Sequence, residues 1–182
     1  MTDELSASER ERYSSQIEGG LGLEGQLGLK RARAIVIGAG ATGSTAAAQL
    51  VSCGVGYVAV ADGGKVALRD LAGQTLYYTP DVGLGKADAL AAKLSLLNPE
   101  VQVESYPVFP DGQNAAAIVE GHDVVVICAD DVGVGQAVGA ACERASLPVA
   151  AAAESGAVAA GATLAAEVVT MLARPLRDEA RT

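Results

Sequence analysis

The chemistry this chain can do is concentrated in the turn Gly38-Ala39-Gly40-Ala41-Thr42-Gly43. It follows an apolar run over residues 34–37 and opens a helical stretch over 42–53. A second apolar run ends at Asp62, 19 residues beyond Gly43. Strand, glycine turn, helix, strand and acid, in that order, form the arrangement that binds dinucleotide-type ligands. Gly38 permits the tight turn, Gly40 lets a phosphate approach the backbone, and Gly43 lets helix and strand pack closely. The helix N-terminus adds N–H groups without intrahelical partners, which suit an anionic phosphate. Gly38, Gly40, Gly43 and Asp62 are therefore candidate nucleotide-binding residues. The alternative is that the glycines only shape the turn.

The elements that must position these residues alternate along the chain. Apolar runs over 34–37, 57–61, 101–106, 123–128 and 148–152 predict strands, and stretches over 42–53, 86–97, 114–120 and 132–145 predict helices. An Ala-rich stretch over 156–174 predicts a closing helix. Apolar strands separated by helices imply a mostly parallel sheet covered on both faces, a single Rossmann-like, doubly wound α/β domain. The helix from Lys86 stops at Asn98-Pro99, because proline disfavours helix in the residue before it. Residues 1–30 read as an N-terminal arm, 31–174 as the domain and 175–182 as a tail, with Arg174, Arg177 and Arg181 at a solvated end.

Composition narrows the classes. The 182 residues are 50% hydrophobic and 19% charged, as in a globular domain with a sizeable core. With five Tyr, one Phe and no Trp, that core must be built from small side chains. A formal charge of −9 argues against nucleic acid, whose affinity comes from Lys and Arg on phosphates. The acidic Met1-Thr2-Asp3-Glu4 start predicts no signal peptide, and Glu154 and Glu167 interrupt the longest apolar stretch, so a cytoplasmic, membrane-free protein is expected. Cys53, Cys128 and Cys142 have no CxxC spacing and read as buried, inert thiols. His122 reads as a surface loop residue. Tyr77-Tyr78, in the loop before Asp81, reads as packing, with lining of the pocket as the alternative.

Beyond the glycine turn, the chain resembles the ThiF/MoeB/HesA group, bacterial relatives of ubiquitin-activating enzymes. The resemblance rests on Glu11-Arg12-Tyr13-Ser14-Ser15-Gln16, Glu24-Gly25-Gln26, Gly38 to Gly43, Gly54-Val55-Gly56 and Asp62. It continues through Gln74-Thr75-Leu76, Asp81-Val82-Gly83-Leu84-Gly85-Lys86-Ala87, Leu97-Asn98-Pro99 and Cys128-Ala129-Asp130. It implies a dimeric enzyme that uses ATP and Mg²⁺ to adenylate a C-terminal carboxylate, usually that of a ubiquitin-like sulfur carrier. Asp62 then corresponds to the acid that holds the ATP ribose. Lys86 corresponds to the lysine on the triphosphate, a mobile point charge. Asp130 corresponds to the Mg²⁺-associated aspartate, a hard oxygen ligand. Lys86 and Asp130 are the candidate catalytic residues. The plainer readings make Asp62 a loop cap, Lys86 a solvated residue at a helix start, and Asp130 the N-cap of the next helix.

The departures from the family pattern are as informative. Ser15 stands where the family has an arginine that reaches the neighbouring subunit's ATP. The family's Ser-Asn-Leu-Gln-Arg-Gln reads Arg69-Asp70-Leu71-Ala72-Gly73-Gln74, so an asparagine is Asp70 and a phosphate-binding arginine is Gly73. Losing one such arginine costs transition-state stabilisation worth roughly a thousandfold or more. Arg69 is near in sequence, but to substitute its side chain must point the other way along the segment. After the fifth strand the family continues into an antiparallel hairpin, a zinc site and a crossover. Here the chain passes through Ala153-Glu154-Ser155-Gly156 to the closing helix, so neither zinc nor thiol transfer is expected.

The leading expectation is an eroded family member, a pseudoenzyme-like partner or accessory subunit in a biosynthetic or sulfur-carrier pathway. It would form a homodimer or pair with a related subunit, and bind ATP and Mg²⁺ weakly. The rival is an active ATP-dependent adenylyltransferase acting on a carboxylate of a peptide, small molecule or carrier protein. A nicotinamide-dependent oxidoreductase is third, since no Tyr-x-x-x-Lys pair or catalytic His accompanies the glycine turn.

Overall fold

The computed structural model describes residues 4–74, 76–151 and 157–173. Thr75, the segment from Ala152 to Gly156, and Arg174, Arg177 and Arg181 lie outside the described residues. Five parallel strands, β1 (Arg33–Ile37), β2 (Tyr57–Ala61), β3 (Gln102–Tyr106), β4 (Val124–Ile127) and β5 (Val149–Ala151), form one sheet in the order β3-β2-β1-β4-β5. The chain runs from β1 outward to β3, then returns to β4 on the other side of β1. The order therefore reverses at β1 and β4, and a crevice opens beyond their carboxyl ends.

Helices cover both faces. Ala34, Val36, Val58, Val60, Val124 and Val126 point to one side, against α4 (Ala41–Ser52), α5 (Lys86–Leu97) and α8 (Ala157–Leu172). Ile35, Ile37, Ala59, Ala61 and Val125 point to the other, against α6 (Ala115–Val119) and α7 (Val132–Ala145). The period-2 alternation of a strand thus feeds two cores at once. Small residues permit close layers: a Cβ on Gly161 of α8 would lie 2.4 Å from the Thr42 carbonyl oxygen of α4. Among the described residues, no helix is long and apolar enough to cross a membrane.

Residues read from sequence as an arm are helical. They form α1 (Ala7–Arg12), α2 (Ser14–Gln16), a π-turn over Ile17–Leu21 and α3 (Gly22–Arg31). They finish α4. Gln16 and Gln26 donate to the Cys53 carbonyl at 2.8 and 3.0 Å, and Asn98 donates to the Val51 carbonyl and the Tyr13 hydroxyl, each at 2.8 Å. These bonds tie the last carbonyls of α4 to side chains from elsewhere in the chain. Gly54, at φ +82°, ends the helix, and a side chain there would meet the Tyr13 ring at 2.5 Å. Tyr13, Gln16, Gln26, Gly54 and Asn98 are scattered along the sequence yet converge on one buried knot at the C-terminal end of α4.

His122 corrects the sequence reading. It is buried, not on a surface loop, because the segment leading into β4 packs its ring against Tyr57, ring centroids 5.7 Å apart. Its Nδ1 meets the Val119 carbonyl at 3.2 Å, and its Nε2 is buried without a hydrogen-bond partner. Burial, with the nearby Arg33 charge, holds its pKa below the ordinary histidine value, against the Val119 and Glu120 carbonyls and Asp123. The unfolded chain therefore binds this proton more readily than the folded one. Stability is then fully present above about pH 6.5 and falls as pH drops through the lowered folded value. Urea denaturation between about pH 7 and pH 5 is expected to show this loss in the wild type and a flatter profile in His122→Gln. Equal profiles would exclude His122 as its source.

Candidate functional site

A cavity of about 380 Å³ opens in the crevice beyond β1 and β4. Gly38 and Gly40 line it from the turn after β1, Asp62 from the end of β2, and Asp130 from the end of β4. Lys86, at the first position of α5, joins them. Four separate segments thus deliver five of the sequence-selected residues to one cavity. Gly43 lies behind the turn, outside the lining.

The three glycines have different reasons. Gly38 sits at φ +96°, and a Cβ there would lie 2.9 Å from the Ala129 nitrogen. A Cβ on Gly43 would fall 1.8 Å from the Gly38 carbonyl oxygen. Both are therefore required by the fold. Gly40 is not: its φ is −74°, and nothing lies within 4 Å of where its Cβ would be. Gly40 itself lines the cavity, and it caps α4 with no side-chain hydrogen bond to the helix's first amides. A bare helix start beside open backbone is a cradle for an anion.

Asp62 ties this cradle to the next loop. Its Oδ2 accepts from the Ala39 N–H and its Oδ1 from the Gly64 N–H, each at 2.7 Å. The loop-cap reading is therefore realised, yet each carboxylate oxygen keeps a lone pair for a ligand hydroxyl. Beyond β4 the adjacent acids divide the work. Asp131, not Asp130, caps α7, accepting from the N–H groups of Gly133 and Val134 at 2.7 and 3.1 Å. Asp130 is left exposed on the cavity wall.

Lys86 is carried in by a returning loop. The Lys86 N–H donates to the Gly64 carbonyl at 2.9 Å, and Val66 exchanges bonds with Gly83 and Leu84. The Tyr77 hydroxyl, buried, bridges the Ala39 and Lys86 carbonyls at 2.9 and 3.1 Å, so Tyr77 braces the glycine turn against α5. The Lys86 ammonium lies 3.1 Å from Asp70 Oδ2, with 17% and 13% of the two side chains exposed. Asp70 also accepts from the Ala67 N–H at 2.9 Å. Burial pushes the Asp70 carboxyl upward, but the Ala67 N–H and the cations of Lys86 and Arg69 outweigh it and hold the pKa below the ordinary value. Asp70 is thus a carboxylate at neutral pH.

Sequence reasoning missed Lys65 and Phe109, and it set Arg69 facing away; all three line the cavity. The turn of 3₁₀ helix over Leu68–Ala72 brings Arg69 to the cavity lining. Phe109 is 61% exposed, and its ring lies on the backbone of Gly63, where a Cβ would come within 2.5 Å of it. An exposed aromatic just past a strand's carboxyl end, in a chain with one Phe, was a usable signal. Ser15 and Gly73 are both exposed and outside the lining. Cys128 lines the cavity, but burial, then the Asp130 charge, pushes its thiol up to about 12, which leaves no thiolate nucleophile. Among the described residues, no group of three or more His, Cys, Asp or Glu side chains gathers to hold a metal.

Residues 13–175 match the ThiF family. The molybdopterin-synthase adenylyltransferase of Escherichia coli (strain K12) is 34% identical over 147 residues, which span 80% of this chain and 59% of that protein. The sulfur carrier protein adenylyltransferase of Thermus thermophilus is 43% identical over 124 residues, 68% of this chain and 46% of that one. The chain therefore spans about half the length of these curated relatives. The fold is also that of the E. coli tRNA N6-threonylcarbamoyladenosine dehydratase TcdA, solved in complex with ATP. The two superpose with a TM-score of 0.76 at 27% identity, over 80% of this chain and 60% of TcdA.

Proposed function

Because the chain belongs to the ThiF family, we propose that it keeps a nucleotide pocket, has lost adenylation on its own, and serves as a partner or accessory subunit in a biosynthetic or sulfur-carrier pathway of the cytoplasm. The residues fit a nucleotide. The Gly40 cradle and the start of α4 would take a phosphate, Asp62 the ribose hydroxyls, and Phe109 would stack a base. Mg²⁺, when bound, would rest on Asp130 and on phosphate oxygens, supplying charge neutralisation. ATP complexed with TcdA, a protein of the same fold, supports ATP as a ligand.

The observation that carries the proposal is the Lys86–Asp70 pair. Nucleotidyl transfer needs cations on the departing pyrophosphate. Here the lysine for that task already holds a carboxylate, and Ser15 and Gly73 stand where the resemblance implies arginines. A homodimer, or a heterodimer with a related subunit, would let a partner supply the missing cation. Pyrophosphate exchange by the purified chain, with candidate carboxylates and carrier proteins, is the test. We expect none above background.

The rival, an active adenylyltransferase on a carboxylate, is favoured by Arg69, which lines the cavity and offers a replacement cation. Robust exchange abolished by Asp130→Ala would establish that enzyme and overturn the accessory role.

A further inference from the structure

We propose that Asp70 is a resident counter-ion for Lys86 that sets the ligand class of the cavity: a nucleoside monophosphate in preference to a metal-free nucleoside triphosphate. This inference rests on the nucleotide reading above.

Asp70 is anchored by its own turn. The oxygen that meets Lys86 at 3.1 Å also accepts from the Ala67 N–H at 2.9 Å. The pair is largely shielded, so it is not the loosely held ion pair of an open surface. A phosphate reaching Lys86 must therefore share its ammonium with Asp70 or expel it. One phosphate held on the Gly40 cradle and the first amides of α4 would need neither. Each further phosphate would add negative charge to a cavity that the Lys86–Asp70 pair also lines. The described lining holds four carboxylates, Asp62, Asp70, Asp130 and Asp131, against the cations Lys65, Arg69 and Lys86. The wall is thus net negative by one charge before any ligand arrives. Repulsion in a partly shielded cleft is far stronger than in water, so the cost rises with phosphate number.

The test is calorimetry on the full chain with adenosine, AMP, ADP and ATP in metal-free buffer. Asp70→Asn keeps the shape and an oxygen for the Ala67 N–H while removing the charge. We expect the wild type to bind AMP at least as tightly as ATP. Asp70→Asn should tighten ATP by about tenfold and AMP by less than about threefold, the scale of one freed charge-assisted contact. An AMP-to-ATP preference unchanged in Asp70→Asn overturns the proposal. So does wild-type ATP binding more than about tenfold tighter than AMP, a result that needs no variant to fold. Failure of every nucleotide and of adenosine to bind either protein overturns the nucleotide reading itself, and this inference with it.

Discussion

Gly43→Ala is expected to destabilise the protein by about 3 kcal/mol, at the upper end for overpacked sites. Gly40→Ala, three residues earlier, should cost less than about 1 kcal/mol, the scale of a weakened N-cap. The methyl group on residue 43 would overlap the Gly38 carbonyl oxygen, 1.8 Å from its position; a Cβ has no rotamer to escape by, and the oxygen is backbone. The methyl group on residue 40 would enter open space. Only a ligand can object to it. Nucleotide affinity should therefore fall by at least about tenfold in Gly40→Ala, since a methyl group blocks the phosphate's approach to the backbone. Urea midpoints at constant m-value and calorimetry with AMP read the two quantities separately. A Gly40→Ala protein that binds AMP as the wild type does would remove the glycine turn from the site, leaving the glycines a purely architectural role.

The second large effect is a gain. Gly73→Arg combined with Asp70→Asn should raise ATP affinity in the presence of Mg²⁺ by about a hundredfold, the worth of a bidentate guanidinium–phosphate contact plus a released lysine. Position 73 can accept the change. Its φ is −130°, its Cβ direction is empty to 4 Å, and its backbone is tied to the Asp70 carbonyl at 3.2 Å. The two positions lie three residues apart in one turn, so their effects should couple, and both single variants belong in the measurement. A double variant whose ATP affinity stays within about threefold of the wild type would show that the cavity is not where a triphosphate binds.

The sequence by itself determined the layered architecture and the place of the glycine turn between its first strand and the helix after it. The run expected over 34–37 is β1, Arg33–Ile37, and that over 57–61 is β2, Tyr57–Ala61. The helix expected over 86–97 is α5, Lys86–Leu97. These features were legible because their causes are local: uniform apolar runs, a glycine turn, and a proline stop. Tertiary structure decided the rest. Glycines punctuate residues 19–28, yet α3 forms, because Leu29 and Gln26 find burial that a single-chain pattern does not display. His122 reads as polar and peripheral until Tyr57, 65 positions away in sequence, closes over it. Asp130 and Asp131 are equivalent as letters, and only the point at which α7 begins assigns the cap to Asp131. Lys86 and Asp70 meet because the loop before α5 returns to pair with residues 64–66. Residue type sets what a side chain can do. Which charges share a cleft is set by long-range packing, and so the electrostatic state of this pocket was not readable from the residues one by one.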